Sequence, residues 1–192
     1  MTHCGGGEDA AIKLYEWNCA ASGAMFEVLS VLEVALRNAL PRELTAIHSQ
    51  SGSDWHTNPL SLLQDRAIKD IKEARERIGR SNAQESPARI VAELNFGFWK
   101  YLLASYYEQA LWTRGLRNAF PYLQPQSRRK AFDAIHQAHQ LRNRIAHHEP
   151  IHRRDLQTDL DVMHQVLAWI EPDVRTWAEG FCRVPAVLAV KP

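Results

Sequence analysis

Apolar residues recur at intervals of three and four along most of this 192-residue chain. The clearest run lies near the C-terminus and comprises Leu156, Leu160, Met163, Leu167, Ile170, Val174, Trp177 and Phe181. Such spacing places the side chains on one face of a helix that packs along another helix. No segment alternates between apolar and polar residues as a half-buried strand would. The sequence therefore predicts an all-α fold, a bundle of about six or seven helices.

Proline and capping residues divide the N-terminal half into helices. Residues 8–47 are mostly good helix formers, and Pro41 predicts a break or kink because proline removes a backbone donor. A second helix with a charged, solvated face is expected within residues 60–78. Residues 86–95 predict a short helix, with serine as its N-cap and proline at its first position.

Aromatic residues gather in residues 98–113, after a turn expected at Gly97. They are Phe98, Trp99, Tyr101, Tyr106, Tyr107 and Trp112. Their helical spacing favours a place in the core or in a dimer interface over base stacking. Further along, Ser127 is expected to cap a helix that runs towards His147 and stops at Pro150.

We expect a flexible leader over residues 1–9, a single helical domain over residues 10–182 and a C-terminal tail over residues 183–192. The glycines of the leader follow no predicted strand, so they do not indicate a phosphate-binding loop. The leader lacks the apolar stretch of a secretory signal, and the apolar run of the tail is too short to span a bilayer. Three widely spaced cysteines form neither a disulfide framework nor a zinc motif. These features predict a cytoplasmic protein with free thiols and no membrane partner.

The net charge of +1 excludes a surface that is basic throughout, but it conceals a segregation of charge. Residues 114–154 contain nine Lys or Arg and two acidic residues, a net charge of +7, and five of the nine histidines. The rest of the chain carries 14 basic and 20 acidic residues, a net charge of −6. The sequence therefore predicts a local basic region that could attract phosphate.

One segment of that basic region, residues 141–150, carries catalytic residue types. Histidine titrates near neutral pH and can accept or donate a proton, and arginine binds phosphate oxygens. Arg142 and His147 could therefore cleave RNA without a metal ion, because RNA supplies its own 2′-hydroxyl nucleophile. Asn143 and His147 share a helical face, whereas Arg142 and His147 point about 140° apart on an ideal helix. Arg142 and His147 converge only if the helix end unwinds or a second chain completes the site.

Three flanking residues, Arg144, His148 and Glu149, are weaker candidates for RNA contacts. A structural interpretation stays open beside the catalytic one, because arginine and histidine also satisfy the carbonyls at the C-terminus of a helix. The spacing of the residues does not decide between the two interpretations.

A second polar island contains Glu33, Arg37 and Asn38 on an otherwise apolar helix. The four-residue spacing of Glu33 and Arg37 favours a partly buried ion pair. A sharper hypothesis is that Glu33 orients Arg142 or His147.

A metal site is disfavoured, so we predict neither a metal ion nor another cofactor. His136 and His139 are three residues apart on one predicted helix, a spacing that zinc ligands use. No cysteine lies nearby, and the positive charge of the region repels a cation.

The segment Arg142-Asn143-x-x-x-His147 resembles the Arg-x(4–6)-His signature of the HEPN superfamily, which has a polar residue directly after the arginine. Four segments in order are similar to the Abi-like family of bacterial abortive-infection proteins, a branch of HEPN. They are Tyr15-Glu16-Trp17-Asn18, Leu32 to Ala39, Leu94 to Trp99, and Leu141 to Ile151. The similarity covers about residues 15–177.

This resemblance implies an HEPN-like helical fold, a homodimer or higher oligomer, and a composite cleft built from two subunits. It implies metal-independent endoribonuclease activity in phage defence or as a toxin, with an antitoxin or regulatory RNA as a further partner. Carried over to this chain, Arg142 and His147 are the catalytic pair and Asn143 is their polar companion. The alternative function is a non-catalytic RNA-binding or protein-interaction module of the same fold.

Overall fold

The computed structural model describes residues 7–50, 52, 54–57, 62–81 and 83–192. The α-helices in these ranges are α1 (Glu8–Ser49), α2 (Asp65–Arg80), α3 (Pro87–Glu93), α4 (Phe96–Tyr101), α5 (Arg128–Ala146), α6 (Leu156–Ile170), α7 (Pro172–Phe181) and α8 (Val184–Leu188). A π-helical turn at Glu108–Trp112 and a 3₁₀ turn at Leu116–Ala119 lie between α4 and α5. No described residue is in a β-strand, so the predicted all-α class is confirmed. Short helices raise the count above the six or seven predicted.

Helix α1 carries the predicted apolar stripe into the core. The stripe residues Met25, Leu29, Leu32, Leu36 and Leu40 are all at most 1% exposed. Of the break or kink predicted at Pro41, the break is wrong, because α1 stays helical to Ser49. Leu44 and Ile47 beyond the proline are also buried, and this burial offsets the single backbone hydrogen bond that proline removes.

By length and composition alone, α1 could cross a membrane. It contains an 18-residue window of mean hydropathy 1.6, of which 39% is buried within the protein. The prediction of no membrane partner rested on the leader and the tail and did not take this window of α1 into account. The core helix of a soluble protein has the same composition, and the stripe described above places α1 in a core.

The chain divides into two compact units, and the boundaries lie within α1 and α5. Unit 1 comprises Met1–Leu32 and Ala134–Pro192, and unit 2 comprises Glu33–Asp133. The predicted domain over residues 10–182 thus contains parts of both units. Residues 1–6 of the predicted leader lie outside the described residues, and its last two residues, Glu8 and Asp9, already belong to α1.

In unit 1, the predicted single helix over residues 156–181 is two helices, α6 and α7. Glu171 is extended, and Pro172 occupies the first turn of α7, where a proline costs no hydrogen bond. The first four stripe residues, Leu156 to Leu167, are buried. Trp177 and Phe181 are instead 63% and 39% exposed, so the stripe is not continuous.

The predicted tail contains helix α8, which is attached to the start of α1. The Trp17 indole Nε1 donates to the Val187 carbonyl at 2.7 Å, and Val184 is 1% exposed. Arg183 forms two hydrogen bonds with the Glu27 carboxylate, the longer at 3.1 Å.

In unit 2, capping residues set the starts of the short helices. Ser86 accepts a hydrogen bond from the Arg89 amide, as predicted, and Asn95 accepts one from the Phe98 amide at 3.0 Å. The turn expected at Gly97 is wrong, because Gly97 lies inside α4. Most of the aromatic segment is core: Phe98, Trp99, Tyr107 and Trp112 are at most 4% exposed.

Candidate site at the end of helix α5

Helix α5 ends in an ordered Schellman motif. The Glu149 amide donates to the Arg144 carbonyl at 2.8 Å, and the His148 amide donates to the Ile145 carbonyl at 3.1 Å. Between these bonds His148 adopts a left-handed backbone conformation with φ of 56°. This pair of bonds with one left-handed residue defines the motif. The helix therefore finishes before Pro150 instead of unwinding at it.

The left-handed position is unusual for histidine, because glycine or asparagine normally occupies it. A residue with a Cβ atom pays about 1–2 kcal/mol there. Backbone strain of this kind is concentrated at functional sites in proteins. His148 thus combines a strained backbone with a solvent-exposed imidazole.

The two predicted catalytic residues do not meet within one chain. The His147 amide still donates to the Asn143 carbonyl at 3.0 Å, so helical geometry extends through His147. Arg142 and His147 then point about 140° apart. In the described part of the chain, no hydrogen bond or ion pair joins them. Convergence by unwinding of the helix end is therefore wrong, and completion by a second chain stays a prediction.

Arg142 is half-buried but has no acidic partner among the described residues. Its Nε atom is buried and donates no hydrogen bond within those residues. The neighbouring Arg144 lies 3.8 Å from the Glu149 carboxylate, and both side chains are about half exposed. Such an exposed pair is weak. His147 and Glu149 are exposed, and Asn143 is half-buried.

Asn18 holds the loop that follows the motif. Its Oδ1 atom accepts hydrogen bonds from the Ile151 amide at 2.8 Å and the His152 amide at 3.1 Å. Ile151 is completely buried, and the Lys191 ammonium donates to the His152 carbonyl at 2.8 Å. The segment 15–18 contributed to the family resemblance, but sequence reasoning gave Asn18 no role. Only the structure reveals this contact across 133 residues.

Part of the predicted basic region serves the fold. Arg154 donates two hydrogen bonds of 2.7 Å to the Asp159 carboxylate, which is 3% exposed. The bond to Asp159 raises the pKa of Arg154. Arg128 forms one ion pair with Glu108, whose side chain is 45% exposed. Both acids lie outside residues 114–154, so the sequence count overstates the free positive charge.

The Glu33–Arg37 ion pair predicted on α1 forms, with 2.6 Å between Oε1 and Nη2. Both side chains are partly buried, as the structural interpretation expects. Asn38 is exposed on the same helix. The hypothesis that Glu33 orients the catalytic pair stays a prediction.

A cavity of about 520 Å³ between α6 and α7 is a less suitable place for phosphate. Two acids, Asp161 and Glu179, line it together with Arg175 and His164. Arg175 already pairs with Glu179 at 2.9 Å. Burial lowers the pKa of His164, which favours its neutral form. No residue of the α5 motif lines this cavity.

Within the described ranges, no three His, Cys, Asp or Glu side chains are grouped closely enough to hold a metal ion. Neither a family model, nor a curated protein, nor a solved structure matches this chain. The α5 terminus therefore has to be interpreted from its own chemistry and from the resemblance of its motif.

Proposed function

We propose that this chain is a metal-independent endoribonuclease that acts as a bacterial toxin or abortive-infection effector of the HEPN type. The observation that carries the proposal is the state of Arg142. It is a half-buried guanidinium without an acidic partner among the described residues, on the same helix end as exposed His147. An unpaired cation from one chain and a proton-transferring imidazole from its partner would together suit a phosphodiester substrate.

In the proposed reaction, His147 accepts the proton of an RNA 2′-hydroxyl. The 2′-oxygen attacks the adjacent phosphorus, and the bond from phosphorus to the 5′-oxygen breaks. The leaving 5′-oxygen takes up a proton from water, so the products are a 2′,3′-cyclic phosphate and a 5′-hydroxyl. Arg142 stabilises the negative charge on the phosphate oxygens during the attack. Asn143, one helical turn before His147, is placed to bind a phosphate or ribose oxygen.

Because Arg142 and His147 of one chain diverge, we propose that each active site combines Arg142 of one copy with His147 of its partner. A two-fold homodimer would contain two such sites. RNA is the substrate, and an antitoxin or regulatory RNA would restrain the cytoplasmic enzyme.

The test is cleavage of single-stranded RNA in EDTA by the wild type, Arg142→Ala and His147→Ala. Each variant should lose at least about 100-fold in rate. Arg153→Ala is the matched control, because it removes an equal charge from an exposed position in the following loop. Absence of wild-type cleavage, or equal cleavage by all variants, would refute the proposal.

Mixing the two inactive variants tests the composite site. In a mixed dimer, the Arg142→Ala chain supplies an intact His147 and the His147→Ala chain supplies an intact Arg142. Random exchange should then restore about a quarter of the wild-type rate. No recovery, despite verified exchange of subunits, would place the complete site within one chain.

One observation favours the alternative, a non-catalytic interaction module. Trp177 and Phe181 are exposed on α7, with ring centroids 4.9 Å apart. Exposed aromatic pairs suit binding to a partner. RNA binding that survives His147→Ala, together with no cleavage by the wild type at any pH, would support this alternative.

A further inference from the structure

Three tyrosines of unit 2 form a cluster that is partly open to solvent. The ring centroids of Tyr101 and Tyr106 lie 5.4 Å apart, and those of Tyr106 and Tyr107 lie 5.0 Å apart. Tyr107 is buried, and its hydroxyl accepts a hydrogen bond from the Gln64 amide at 2.9 Å. Tyr106 is 49% exposed. The cluster thus has one buried ring that is held in place, Tyr107, and one ring that is accessible to solvent, Tyr106.

Two cations accompany this cluster. The guanidinium carbon of Arg66 lies 4.6 Å from the centroid of the Tyr101 ring. Burial and the nearby charge of Arg66 lower the pKa of Lys100, so the two cations are close enough to repel each other. In the part of the chain that the structure describes, no carboxylate forms an ion pair with Arg66 or Lys100.

Asp70, one helical turn after Arg66, is an acid close enough to interact with Arg66. Burial raises the pKa of its carboxyl group, and the charge of Arg66 opposes that shift. With Asp70 ionised, the group of Arg66, Lys100 and Asp70 carries one net positive charge. An anion beside Arg66 and Lys100 would relieve their mutual repulsion.

We infer that Arg66, Lys100 and Tyr106 form a binding site for single-stranded RNA. A base stacks on the exposed Tyr106 ring, and a neighbouring phosphate binds Arg66 and Lys100. An aromatic platform beside cations is the arrangement that binds single strands without sequence preference. The choice of RNA rests on the proposed function, but stacking on Tyr106 does not require cleavage.

Tyr122 provides a matched control in the same unit. It is 55% exposed, but within the described residues it contacts neither an aromatic ring nor a cation. Exposure alone therefore does not distinguish Tyr106 from Tyr122, whereas the cationic surroundings do. If the inference is right, the two tyrosines contribute differently to RNA binding.

The experiment measures fluorescence anisotropy of a labelled ten-nucleotide RNA with full-length His147→Ala protein in EDTA, so that the RNA stays intact. Adding Tyr106→Ala should weaken binding about tenfold. Tyr106→Phe and Tyr122→Ala should each change the affinity by less than about twofold, because both proteins keep an aromatic ring at position 106. Arg66→Ala should reduce the slope of log K against log salt by about 0.7.

Equal binding by the Tyr106→Ala and Tyr122→Ala proteins would overturn the inference, as would absence of RNA binding at low salt. AMP serves as a second probe: binding of AMP with a similar affinity would make the ligand a mononucleotide and contradict the single-strand assignment. The inference and the proposed function can fail separately. Tyr106-dependent binding without wild-type cleavage would refute only the function, and cleavage with unchanged binding by Tyr106→Ala would refute only this site.

Discussion

Arg142 and Arg154 lie in the same unit and in the same basic segment, but they are used differently. Arg154 is fixed by two hydrogen bonds to buried Asp159, whose carboxylate also accepts a bond from Gln137 at 2.9 Å. Arg142 has no such acid among the described residues. A buried acid neutralises the charge of Arg154, whereas no acid among the described residues neutralises that of Arg142. Counting charges along the sequence cannot separate these two cases.

The largest expected effect on stability comes from Arg154→Ala, which leaves the buried Asp159 without its cation. The free energy of unfolding should fall by about 3 kcal/mol. Arg142→Ala removes no ion pair and should cost less than about 1 kcal/mol. Denaturant unfolding monitored by circular dichroism measures both values.

Adding Asp159→Asn to Arg154→Ala provides the internal control. The amide keeps a partner for Gln137 and removes the uncompensated charge, so the double variant should be more stable than Arg154→Ala alone. If Arg142→Ala destabilised the protein as much as Arg154→Ala, the proposed difference between the two arginines would be wrong.

Sequence periodicity predicted the helices well because apolar spacing reports burial directly. The prolines show where it failed. Pro41 lies within a stripe that is buried on both sides, so packing keeps α1 continuous. Pro172 follows an extended residue and can start a new helix without losing a hydrogen bond. The same residue type therefore had opposite effects, depending on tertiary contacts that one sequence does not contain.

At the candidate site, too, the sequence predicted some features and missed others. The residue types of the α5 motif could be found in the sequence, since chemistry depends on residue identity. The Schellman end and the anchoring of the loop by Asn18 could not, because they depend on backbone geometry and on contacts between distant segments. Arg142 and Arg154 likewise look equivalent until burial of Asp159 is known.

The next effect concerns Asn18, which acts on the site through the loop. Asn18→Ala leaves the amides of Ile151 and His152 without their acceptor and should cost about 1–2 kcal/mol of stability. Asn18→Asp keeps the acceptor and should retain most of that stability. Thermal unfolding and RNA cleavage are measured for both variants. If Asn18→Ala cleaves RNA at the wild-type rate, the loop does not position the motif.

The smallest effect tests the strained end of α5, where histidine has two separable contributions. His148→Gly and His148→Ala both remove the imidazole, but only glycine relieves the left-handed backbone. The glycine variant should therefore be more stable than the alanine variant by about 1 kcal/mol. Chemical denaturation of the two proteins gives this difference without interference from the side chain. Equal stability would mean that residue 148 is not left-handed in solution. Equal loss of cleavage in both variants would mean that the His148 imidazole contacts RNA, because both variants lack it and only one keeps the backbone strain. His148 would then resemble Arg142, whose charge is free for a substrate, and differ from Arg154, whose charge is held by Asp159.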